Sequence, residues 1–216
     1  GKIMAALVDT RDNEYTNAQT GVKFQNLDQV RDAYNKSEII VSLHEAGTTA
    51  TSFQTLVEAN ADLLQFDITE EDYVAEASYI YGMIVSNRAT YEGTGIHSCS
   101  TLVDAIKKYR AIKEINDGTL SPVNTLHGVM EKYHNDLGVT ADAWTKYTGF
   151  EDDAQRDSVL RQIYNKGYTV PSVAKAAFES GVTAVYNLSL GGGDLGGGSP
   201  SGPSSDDSFS VGNDGG

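Results

Sequence analysis

Apolar residues recur every three or four positions between residues 67 and 190, the spacing that places them on one face of an α-helix. Glycines or Gly-containing turns follow these stretches at Gly118, Gly138, Gly149, Gly167 and Gly181, where helices commonly end. The pattern predicts an array of short helices. Three clear stripes are Tyr73, Val74, Ala77, Ile80, Tyr81 and Ile84; Leu102, Ala105, Ile106, Tyr109 and Ile112; and Val123, Leu126, Met130, Tyr133 and Leu137.

A helix-start motif is repeated along the chain. Residues 68–73 and 139–144 each have an apolar residue, a threonine, three small or acidic residues and an aromatic residue, and residues 48–53 repeat the motif loosely. The threonine can accept a hydrogen bond from a free N–H of the first turn, while the flanking apolar pair closes over that turn. Ser121 and Pro122 predict a further start, with proline at the first helical position.

Residues 1–66 predict a small mixed α/β part. Two short apolar runs, residues 3–8 and 39–43, have strand-like content. Residues 26–29 resemble a capping box that opens a short helix, and residues 10–21 predict a loop. The expected fold is therefore mainly α, with a mixed N-terminal segment at 1–66 and a helical domain at 67–190.

Residues 191–216 have a different composition. Ten of these 26 residues are Gly and six are Ser, and the segment has no Lys or Arg. Such a composition buries too little apolar surface to offset the entropy of ordering it. We predict an extended tail that binds a neighbouring subunit through its main apolar residues, Leu195, Phe209 and Val211.

The charge of the chain limits its partners. Its 216 residues carry a net charge of −14, which opposes direct binding to nucleic acid and docking on anionic lipid. The longest apolar run near the start has six residues, too few for a signal segment or a membrane span. These features predict a protein made in a cytoplasm, without a membrane partner.

Residues 97–99, His-Ser-Cys, are the first candidate for chemistry. His97 and Cys99 could ligate a metal, but a closed zinc site needs four ligands and the usual paired spacing is missing. As a nucleophile and base they would need a lowered thiol pKa, for which the neutral neighbourhood offers no cause. A structural thiol is the expected role of Cys99.

His127 and His134 lie two helical turns apart on one predicted face, with Asp136 nearby. They could bind an ion, but a solvated helix face accounts for them as well.

The acidic clusters have structural explanations too. Residues 70–72 and 151–153 fall at predicted helix starts, where carboxylates favour the helix dipole. Residues 9–14 are rich in oxygen ligands but lack the spacing of an EF-hand, and residues 191–198 lack the Lys-Ser/Thr end of a phosphate loop. We therefore assign no catalytic, cofactor-binding or metal-binding residue, expect no cofactor and predict no enzyme.

Part of the helical region resembles the small XkdX-type proteins of phage tails. Residues 68–73 (ITEEDY) are similar to the centre of that family's motif, and residues 138–149 (GVTADAWTKYTG) to the part through its end. Its opening half resembles residues 164–169 (YNKGYT) followed by 178–183 (FESGVT), although the order of the pieces differs here. The resemblance implies a phage-tail or other virion setting and transfers no catalytic residue.

Three functions follow as hypotheses. The first is a structural component of a viral particle, of the phage tail, baseplate or neck type, which binds other virion proteins as a homo- or hetero-oligomer. It would be located in the virion, and in the host cytoplasm during assembly. The second is an acidic assembly chaperone or scaffold. The third is a small hydrolase or metal enzyme that uses His97, Cys99 or residues 9–14.

Overall fold

The computed structural model describes residues 2–16 and 20–191. Within these ranges the chain forms ten α-helices, one 3-10 turn at Tyr91–Gly93, and no strand. The helices are α1 (Lys2–Glu14), α2 (Leu27–Leu43), α3 (Ala50–Ala59), α4 (Ala61–Leu64), α5 (Glu71–Asn87), α6 (Cys99–Asp117), α7 (Leu126–Leu137), α8 (Ala141–Thr148), α9 (Asp153–Ile163) and α10 (Pro171–Gly191).

Helix α6 lies at the centre of the packing. Its most extensive contacts are with α5 and α7, and it contacts α2, α4 and α10 less extensively. Helix α1 packs mainly on α2, α3 packs on α5, and α8 and α9 pack on α10. The predicted stripe of α6 is completely buried, as are most members of the stripes of α5 and α7. The mainly helical prediction is therefore confirmed.

The predicted mixed α/β part at residues 1–66 is wrong. Residues 3–8 lie in α1, and residues 39–43 form the last turn of α2. Short apolar runs do not distinguish a strand from a buried helix, and in α2 burial recurs at helical spacing at Ala33, Ser37 and Ile40. Residues 10–14, predicted as a loop, continue α1.

Two of the three threonine motifs cap helices as predicted. Thr49 and Ser52 form a complete capping box at α3, and the Thr140 side chain accepts a hydrogen bond from the Ala143 N–H at α8. The prediction for Thr69 is wrong. Its N–H and hydroxyl both donate to Asp67 Oδ1, at 2.8 and 2.7 Å, so α5 begins two residues later.

The helix start predicted at Ser121 and Pro122 is also wrong, because α7 begins at Leu126. The preceding residues form a loop closed by Thr119, whose N–H donates to Thr125 Oγ1 at 2.9 Å and whose carbonyl accepts from the Leu126 N–H at 3.2 Å. These hydrogen bonds place the first helical turn after Thr125.

The helix end predicted at Gly181 is wrong as well, since α10 continues to Gly191. A Cβ at Gly181 would lie 3.0 Å from Gln162 Cγ and 3.5 Å from Val159 Cγ1 on α9. Gly181 therefore permits the close approach of α10 to α9 and does not terminate the helix. At Gly138 the prediction is confirmed, because this glycine ends α7 with a φ of 78°.

The proposed division after residue 66 remains a prediction, although α3 and α5 pack together across it. Gly191 is the last residue of α10. The remainder of the predicted tail, with Leu195, Phe209 and Val211, lies outside the described residues.

Candidate interaction surfaces and polar clusters

The apolar part of α1 forms the first candidate interaction surface. Although residues 3–8 are all apolar, none of them is buried. Ile3, Ala6 and Leu7 are half-buried, whereas Met4 and Val8 are 61 and 43% exposed. A helix that is apolar on every side normally lies in a core, so this helix has more apolar surface than α2 covers.

A groove of about 410 Å³ runs beside α1, lined by Lys2, Ala5, Ala6, Asp9, Ile40, Val41, His44 and His97. The two imidazole rings stack with centroids 5.7 Å apart. His44 Nε2 bonds to the Ile96 carbonyl oxygen at 2.7 Å, and His97 Nε2 to that of Thr94 at 2.6 Å. The backbone thus holds both rings, and the groove presents mainly apolar atoms.

The C-terminal part of α10, residues 180–191, forms the second candidate surface. Residues 180–191 carry no charge, and Leu188 and Leu190 are 75 and 68% exposed. About one turn earlier in the helix, Val185 and Tyr186 pack on the core. A groove of about 390 Å³ lies next to Tyr186, between α8, α9 and α10. An apolar helix end beside a groove is a typical protein-binding arrangement.

The structure does not pair Cys99 with His97. The Cys99 thiol is buried and donates to the Lys36 carbonyl oxygen at 3.4 Å. Burial, reinforced by the charge of Glu14, raises the pKa of the Cys99 thiol to about 12. A thiol that stays protonated at neutral pH is poorly suited to nucleophilic attack.

The other predicted candidates hold the fold together. In residues 9–14, Glu14 forms an ion pair with Lys36 at 2.8 Å and accepts a hydrogen bond from the Ser100 N–H at 3.3 Å. His127 bonds to the Tyr147 hydroxyl at 2.7 Å, and His134 stacks on Trp144. Within residues 2–16 and 20–191, no group of three or more His, Cys, Asp or Glu side chains could hold a metal ion.

The acidic cluster at residues 70–72 joins an ion-pair network around Arg110 of α6. The Arg110 side chain is 7% exposed and pairs with Glu70, which directly precedes α5, and with Asp136 of α7. Asp72 pairs with Lys132 and accepts a hydrogen bond from the Tyr133 hydroxyl; these contacts lower the pKa of Asp72. The network joins three helices. The sequence contains one indication of this network: Arg110 directly follows Tyr109, a member of the buried stripe of α6.

A second polar cluster lies between α5 and α6. Like the Arg110 network, it was not predicted from the sequence. Glu76 and Glu114 lie within hydrogen-bond reach, and Glu76 Oε2 is buried without a hydrogen-bond partner. Burial and the charge of Glu114 raise the pKa of Glu76 to about 8. Glu76 lies three residues after Tyr73 and four before Ile80, so the helical spacing could have placed this carboxyl group beside the core.

The described helices also lack a membrane-spanning candidate, because none of them has the required length and apolar content. Comparison with known proteins identifies no relative: no family model matches the chain, and no curated protein and no solved structure matches it.

Proposed function

We propose that this protein is a structural component of a viral particle, of the phage tail, baseplate or neck type, and that it acts by packing against other subunits. The observation that carries the proposal is the apolar surface left uncovered on α1 and at the end of α10. Met4, Leu188 and Leu190 are each more than 60% exposed. Contact with another subunit would remove this surface from water.

The assignment to a viral particle depends on the resemblance of residues 68–73, 138–149, 164–169 and 178–183 to the XkdX-type motif. In this proposal, residues 192–216 form an arm that docks on a neighbouring subunit through Leu195, Phe209 and Val211. A segment that becomes ordered on binding can cover a large surface with modest affinity.

The first experiment is mass spectrometry of particles purified from cells that express the full chain. We expect the protein in finished particles at a fixed ratio to the other components. Its presence in assembly intermediates but not in finished particles would replace the proposal with the assembly chaperone or scaffold that the net charge of −14 also favours. Absence from both would overturn both functions.

The second experiment tests the α10 surface directly. We expect Leu188→Asn with Leu190→Asn to reduce incorporation at least tenfold while leaving the melting temperature within about 2 °C of wild type, because both side chains are exposed. Val74→Asn is the control, since Val74 is 63% exposed on α5, outside both surfaces. Normal incorporation of the double variant would contradict a role for α10.

Removal of residues 192–216 tests the arm separately. We expect the truncated protein to keep the melting temperature of the full chain and to lose incorporation. Normal incorporation would contradict a role for the arm.

A further inference from the structure

Two carboxyl groups face each other across the interface of α5 and α6. Glu76 of α5 lies within hydrogen-bond reach of Glu114 of α6, and both side chains are half-buried. Glu76 Oε2 is buried and has no hydrogen-bond donor. Two ionised carboxylates within hydrogen-bond reach repel each other, whereas a carboxylic acid and a carboxylate can form a short hydrogen bond.

The surrounding charges do not neutralise the pair. Lys113 is the cation that acts on Glu76, but it also forms an ion pair with Asp117, whose own charge opposes ionisation of Glu76. From α5 itself, Tyr79 lies beneath Lys113, with 5.9 Å between Nζ and the ring centroid. The two glutamates therefore remain in a predominantly negative environment.

Helix α3, which also packs on α5, does not supply the missing cation. It contains no Lys or Arg, and its one acidic residue, Glu58, accepts hydrogen bonds from the Tyr73 hydroxyl at 3.1 Å and from Gln54 Nε2 at 2.9 Å. A bound proton is then the simplest way to remove one of the two negative charges at the α5–α6 interface.

We propose that Glu76 and Glu114 share one proton and form a pH-sensitive lock between α5 and α6. With the proton bound, one carboxyl group donates to the other and the interface carries a single negative charge. When the proton leaves at alkaline pH, two carboxylates repel each other across the interface and the contact weakens. This inference concerns the interior of the fold and is independent of the proposed particle.

The sign of the pH dependence follows from the folded state, which binds this proton more tightly than the unfolded chain does. At neutral pH unfolding therefore releases a proton, and stability falls as pH rises. For complete release of one proton, the unfolding constant increases tenfold per pH unit.

The test is equilibrium unfolding of the full chain between about pH 5.5 and pH 8.5, compared with Glu76→Gln, which keeps the shape and is neutral throughout. We expect the ratio of the wild-type to the variant unfolding constant to rise severalfold per pH unit, up to the tenfold limit. Glu71→Gln is the matched control, because it removes the same charge from an exposed position on the same helix. Its pH dependence should follow that of wild type.

Carbon-13 NMR of the glutamate carboxyl groups provides a second measurement on the unaltered chain. We expect one glutamate to titrate well above the others. Parallel pH dependence of wild type and Glu76→Gln would overturn the proposal. If Glu76→Gln does not fold, the NMR titration decides, and titration of every glutamate at about pH 4–5 would overturn the lock.

Discussion

Individual hydroxyl groups in the core have defined and unequal roles. The Tyr73 hydroxyl donates to Glu58 at 3.1 Å, so the Tyr81 hydroxyl, 3.0 Å away, donates to Tyr73. Both tyrosines are almost completely buried, and burial raises the pKa of Tyr73 to about 12. The hydrogen bonds therefore run in one direction, from Tyr81 in the core through Tyr73 to the half-buried Glu58 carboxylate.

This direction predicts different effects of two similar substitutions. Tyr73→Phe removes the acceptor of the buried Tyr81 hydroxyl and should lower the free energy of unfolding by about 2 kcal/mol. Tyr81→Phe leaves the bond from Tyr73 to Glu58 in place and should cost about 0.5–1 kcal/mol. Urea unfolding of both variants checks the order, and an equal or reversed cost would contradict the assigned direction.

At the scale of elements, glycines within helices serve different purposes. Gly181 of α10 lies against α9, where a Cβ would approach Gln162 closely. Gly128 of α7 is exposed and has no atom near the position of a Cβ. A substitution at Gly181 therefore tests helix packing, whereas a substitution at Gly128 tests intrinsic helix propensity.

We predict that Gly181→Leu destabilises the protein by about 2–3 kcal/mol, because the larger side chain forces α10 away from α9. Gly128→Ala should stabilise it by about 0.5–1 kcal/mol through better helix propensity. Thermal unfolding of both variants provides the comparison. Unchanged stability of the Gly181→Leu variant would show that α9 and α10 do not need to lie close together.

For the molecule as a whole, a few polar contacts between distant segments fix how the helices assemble. Asn116 of α6 forms two hydrogen bonds with the backbone of Tyr168, each 2.8 Å long, and so joins the loop between α9 and α10 to the central helix. Glu92 accepts from the Ser172 N–H at 3.1 Å and thereby caps α10 from 80 residues away. These contacts orient α10, which carries the second candidate surface.

Asn116→Ala should therefore reduce the free energy of unfolding by about 2 kcal/mol, since both backbone groups of Tyr168 lose their partner. Asn187→Ala, at an exposed site on α10, is the control for the change in helix propensity. Denaturant unfolding and hydrogen exchange at residues 164–170 measure the effect. Equal stability of the two variants would count against the role of Asn116.

The sequence alone determined the helical class and much of the local structure between residues 67 and 190. The buried stripe of α6, the end of α7 at Gly138 and the threonine cap at Thr140 were all predictable, because they depend on helical periodicity and on groups a few residues apart. These features are encoded within single helices.

Tertiary structure decided what involves two or more helices. The run at residues 39–43 became helical because its apolar side chains pack within a helix bundle, and α10 passes through Gly181 because α9 lies against it. The Arg110 network and the Glu76–Glu114 pair depend on the register between α5, α6 and α7. Periodicity indicates which face of a helix is buried, but only the packing of neighbouring helices determines which charged groups on them come into contact.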